Sequence, residues 1–115
     1  MPSGDKTYTM KTLQAQITAA SSDYSFPVQI PSFQTMDIFR ATYSNPLSVP
    51  ATISVFGLPS GSPIDNKTVP ANSSEDTMND GETIGSLPSG DSPTINSNVS
   101  GVVITLNFAT HEGSI

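Results

Sequence analysis

Four carboxylates fall within eight positions of this chain: Glu75, Asp76, Asp80 and Glu82, inside the stretch TVPANSSEDTMNDGETI (68–84). Acids at such short spacing can hold a hard cation, divide general acid and base work between two carboxyls, or simply carry hydration. An EF-hand loop needs oxygen ligands at alternating early positions, a Gly at its sharp turn and an acid at its end. Counted from Asp76, Asp80 and Gly81 fit that spacing, but Met78 and Leu87 stand where oxygen ligands are required. Asp76, Asp80 and Glu82 are left as weak candidates for a looser calcium site. A sugar-cleaving carboxyl pair needs an aromatic cleft and one desolvated acid. The chain has no Trp, and these acids sit among Ser, Asn and Gly. The expectation is a solvated loop closed by a turn at Asp80-Gly81.

His111 is the only histidine, and it follows the last apolar run. Serines are plentiful enough for a Ser–His–acid set, but no G-x-S-x-G nucleophile turn is present. A lone histidine cannot form an H-E-x-x-H zinc pair. His111 is expected at the surface near the chain end. No catalytic residue and no cofactor is assigned, and the chain is read as non-enzymatic.

The elements that must position any site are strands. The sequence has 115 residues, enough for one domain with one two-layer core. It holds no Cys, so no disulfide or thiolate zinc site can form. Ser and Thr number 18 and 13, while only 12% of residues are charged. That surface chemistry suits strands with solvated faces rather than exposed helices. With a net charge of −6 and only Lys6, Lys11, Arg40 and Lys67 as cations, binding to nucleic acid or to an anionic membrane is not expected. The first residues, MPSGDKTYTMKT, show no apolar signal-peptide core, and no apolar run is long enough to span a bilayer.

Alternation marks the elements. From Lys6 to Thr18, Tyr8 and Met10 share one face and Leu13, Ala15 and Ile17 the other, which implies a bulge or bend near Thr12. Phe26, Val28 and Ile30 alternate in a stretch that holds Pro27 and Pro31, which reads as an edge strand or a link between sheets. Ala51, Ile53 and Val55 face inward on the next strand. Val102, Ile104, Leu106 and Phe108 make the clearest core face. Residues 58–65, 72–82 and 88–98 read as loops, and Thr68 to Ala71 and Thr83 to Leu87 as short extended segments. The sum is an all-β, single-domain antiparallel β-sandwich (Ig-like or jelly-roll-like) of about six to eight short strands, with a short N-terminal arm over residues 1–6.

Segment 33–43 carries apolar residues on both faces: Met36 and Ile38 point one way, Phe39, Ala41 and Tyr43 the other. Either a second bulge tucks both sets inside, or the surplus covers a subunit interface. Phe33, Met36, Ile38, Phe39 and Tyr43 are the interface candidates.

Three blocks carry a resemblance: ATYSNPLSVPATISVFG (41–57), TVPANSSEDTMNDGETIGSLPSGDS (68–92) and SGVVITLNFATHEG (100–113). Their order of strand, asparagine turn, strand, PANSS segment, DG turn and closing strand resembles small β-sandwich structural proteins of tailed-bacteriophage virions. The likeness spans about residues 36–113. Glu82 stands where that pattern commonly has Asp, and the first 30 residues have no counterpart. The resemblance implies a virion structural protein, foremost a capsid decoration (cement) protein assembled in a host cytoplasm. Its partners would be the major capsid protein or other virion proteins, with sister copies in a homo-oligomer. A tail, fibre or connector part is the first alternative. The second is a carbohydrate- or receptor-binding module using loops 58–66 and 88–98 with Tyr24 or Tyr43.

Overall fold

The computed structural model describes residues 10–112. The expected arm over residues 1–6 and the face assigned to Tyr8 lie outside them. The described chain forms nine strands: β1 (Lys11–Gln16), β2 (Tyr24–Ser25), β3 (Gln34–Asn45), β4 (Ala51–Leu58), β5 (Pro63–Val69), β6 (Ser73–Met78), β7 (Gly85–Leu87), β8 (Ser92–Ser97) and β9 (Val103–Glu112). They build two antiparallel sheets, one ordered β1-β9-β3-β6 with β7 also on β3, the other ordered β2-β8-β4-β5. The fold is an all-β sandwich.

The core follows strand period. Ala51, Ile53 and Val55 of β4 and Ile104, Leu106 and Phe108 of β9 are buried, as their alternation predicts. β3 is the informative strand. Its register places Ile38 opposite Phe108 but Arg40 opposite Asn107, so Phe39 is the extra residue of a bulge in the β3–β9 ladder. This bulge switches the parity of the strand. Met36 and Ile38 before it, and Ala41 and Tyr43 after it, therefore all face the same core. The apolar residues on two apparent faces belong to one face.

Three strands stand where loops were expected. β6 runs through the acid-rich stretch, β5 begins inside 58–65 and runs on to Val69, and β8 lies inside 88–98. Each lacks apolar alternation. β8 buries Thr94 and Ser97 beside Ile95, and the Thr94 hydroxyl hydrogen-bonds with Ser25 and with the Ser92 carbonyl. Hydroxyls satisfied in this way occupy inner positions that a hydropathy pattern assigns to the surface.

Asn45 fixes the corner after β3. Its Nδ2 donates to the carbonyls of Val49 at 2.9 Å, Val69 at 3.1 Å and Pro70 at 3.1 Å. Its Oδ1 accepts the Leu47 N–H at 3.0 Å. One buried amide thus ties the Asn45-Pro46 turn to the chain leaving β5.

Candidate functional site

The acids that motivated the search for chemistry sit on an edge strand. β6 pairs with β3, with Thr42 opposite Asp76 and Arg40 opposite Met78. Strand alternation turns Asp76 and Met78 outward and leaves Glu75 and Thr77 half buried. Asp76 forms an ion pair with Arg40 across the strands. The hydrogen-bonded Arg40 guanidinium holds the Asp76 carboxyl below the usual carboxylate range, against the opposing effect of desolvation. Lys67 of β5 lies 3.9 Å from Glu75 Oε1 and donates to the Asp76 carbonyl at 3.1 Å. Asp80 and Glu82 belong instead to a tight turn in which the Glu82 N–H donates to the Asn79 carbonyl at 2.5 Å. Asp76, Asp80 and Glu82 therefore occupy different local structures. Among the described residues no three His, Cys, Asp or Glu side chains are grouped to hold a metal ion. The solvated loop expected here is a strand followed by a turn, and its strand acids face cations of the same chain.

His111 is not a plain surface residue. Its side chain is only 26% exposed, and Nε2 lies 2.9 Å from Asp37 Oδ2. Ser86 Oγ donates to the other oxygen of Asp37 at 2.6 Å. Serine, aspartate and histidine from β7, β3 and β9 thus meet on the outer face of one sheet. The connectivity is wrong for nucleophile activation, however. The serine proton goes to the carboxylate rather than to the imidazole, whereas a catalytic set requires serine hydrogen-bonded to the base. The arrangement fastens β7 and the end of β9 to β3.

The interface candidates divide sharply. Met36, Ile38 and Tyr43 are withdrawn, because the bulge at Phe39 turns them into the chain's own core, where each is at most 1% exposed. Burial also removes Tyr43 as a platform for sugar. Of the loops assigned to that role, β5 and β8 take about half. Tyr24 is exposed and packs edge-on against Phe26 at 5.3 Å between ring centroids.

Phe33 is the opposite case. It is 78% exposed, at the turn that enters β3, with φ of 64°. A positive φ on a bulky non-glycine residue costs about 1–2 kcal/mol. Phe39 lines a groove of about 460 Å³ on the outer sheet face with Met10, Arg40, Met78, Glu82 and Asn107. Met10 and Met78 there are 53% and 56% exposed. Neither methionine was among the interface candidates: Met78 was expected in a loop and Met10 on a strand face with Tyr8, and only the fold brings them together with Phe39.

No protein-family model matches the chain, and no curated protein does. A solved structure from Bacillus, from work describing endospore appendages as a novel family of disulfide-linked pili, is similar with a TM-score of 0.53 at 19% identity. The match covers 99% of this chain and 96% of that one. This likeness is one of fold. The present chain contains no Cys, so it cannot make a disulfide link.

Proposed function

We propose that this chain is a non-enzymatic structural subunit that works by burying exposed surface against sister copies within a larger particle. The observation that carries the reading is Phe33, an aromatic ring held in water on a left-handed backbone. Strain and apolar exposure at one residue are both offset when a partner covers the ring. Interfaces are anchored by aromatic residues of this kind. The chemistry around Asp76 and His111 offers no rival, because its groups are committed to one another.

The virion reading, with capsid decoration foremost, rests on the segment order over residues 36–113. An extracellular filament is the second reading, favoured by a fold likeness to a pilus-forming protein that spans 99% of this chain. The two share one mechanism and differ in the particle. Quantitative mass spectrometry of purified particles separates them. Hundreds of copies per phage particle support capsid decoration, and a handful support a tail or connector part. Enrichment in surface filaments, with absence from virions, overturns the virion reading in favour of the filament. Absence from both overturns the structural proposal.

A further inference from the structure

A second cavity, of about 330 Å³, lies between the segment after β2 and the ends of β1, β3 and β9. Its floor is apolar: Ile30 and Met36 are 1% exposed and Phe108 is 6% exposed. Val28 continues that wall, and Gln34 stands at the rim with Lys11. We infer that this cavity binds a small linear monocarboxylate, with the alkyl chain on the Ile30–Met36–Phe108 floor and the carboxylate on the Lys11 ammonium.

Charge supports that ligand class. The chain carries ten acids against four cations, yet among the described residues no Asp or Glu lines this cavity. Glu112, opposite Gln34 at the strand ends, lies outside the lining. Arg40 is paired with Asp76 and Lys67 with Glu75, while Lys11 has no ion-pair partner among the described residues. Lys11 is paired opposite Phe108, which puts its aliphatic stem beside the apolar floor. A lysine so placed lays its methylenes along an apolar wall and holds its ammonium in water. An apolar floor with Lys11 as its cation among the described residues matches a ligand that has an apolar body and a single negative end. The volume is near the lower limit for small-molecule sites, roughly 300 Å³, which selects a short or medium chain. This inference is independent of the assembly reading.

The test is titration of the full chain with octanoate, 1-octanol and octylammonium, followed by heteronuclear NMR of the Met36 methyl and the Phe108 ring. Octanoate should give saturable shifts at both residues, and octylammonium none. 1-Octanol should bind about threefold more weakly than octanoate, as should octanoate to Lys11→Met, since the ion pair with a water-exposed ammonium is lost in each case. Three results overturn the inference: no saturable shift with millimolar octanoate, equal binding of octanoate and 1-octanol, or unchanged octanoate affinity in Lys11→Met.

Discussion

The Tyr43 hydroxyl of β3 donates to Asp65 Oδ2 of β5 at 2.5 Å and so joins the two sheets from inside the sandwich. Burial first, and then the hydrogen bond and charge of Asp65, push the hydroxyl far above the usual tyrosine range. Tyr43→Phe leaves a half-buried carboxylate without its donor. It should destabilise the fold by about 1–3 kcal/mol in urea unfolding.

The same group makes alkaline stability testable. Its folded-state value is raised, so its contribution is complete below about pH 10, where an unfolded tyrosine ionises, and falls as pH rises above that. Wild-type protein should lose stability between about pH 10 and 11 more steeply than Tyr43→Phe. Parallel curves would show that this tyrosine is not held protonated.

Asn45 is the second internal tie, and its removal should cost more than its size implies. Asn45→Ala strands three carbonyls and one N–H at a buried corner. A loss of about 3 kcal/mol is expected, with the urea m-value unchanged.

The Arg40–Asp76 pair should matter little. Both side chains are substantially exposed, so solvent screens them and an isolated pair of this kind contributes about 0–1 kcal/mol. Because the Asp76 carboxyl is held low, that small contribution is present above about pH 4 and fades as acid protonates the group. Arg40→Ala should shift the melting temperature only slightly at neutral pH, and still less in 1 M salt.

Calcium is expected to do nothing. The strand acids face Arg40 and Lys67, while Asp80 and Glu82 lie in a separate turn. Thermal melting with and without millimolar calcium should coincide. A rise of several degrees would mean that the turn gathers ligands in solution.

The parts of the fold legible in the sequence are those where apolar residues alternate without interruption. β4 and β9 declare their buried faces directly, and the cluster at 33–43 declares an anomaly. Alternation alone could not decide between a bulge and a two-faced strand, because the choice depends on the register against β9, which is a long-range fact. β5, β6 and β8 were hidden for a different reason. The inward positions of β8 include Thr94, whose hydroxyl meets that of Ser25 across the β2–β8 pair, and Ser97, whose hydroxyl accepts the Val99 N–H, so polar side chains stand where hydropathy expects apolar ones. The contacts of Asp37 with Ser86 and His111 join residues far apart in sequence, with no spacing signal to announce them. Phe33 was named from its type and position, but its left-handed backbone and exposure needed coordinates.

The central claim is that Phe33 is a contact for assembly, and Phe33→Asn tests it most directly. Asn tolerates the left-handed backbone and removes the ring, so the fold should be as stable as wild type or slightly more so. Sedimentation velocity over a range of concentrations should show wild-type chain as assemblies well above its 12.0 kDa mass and Phe33→Asn as monomer. Wild-type chain that stays monomeric at high concentration, or a variant that assembles equally well, would contradict the account.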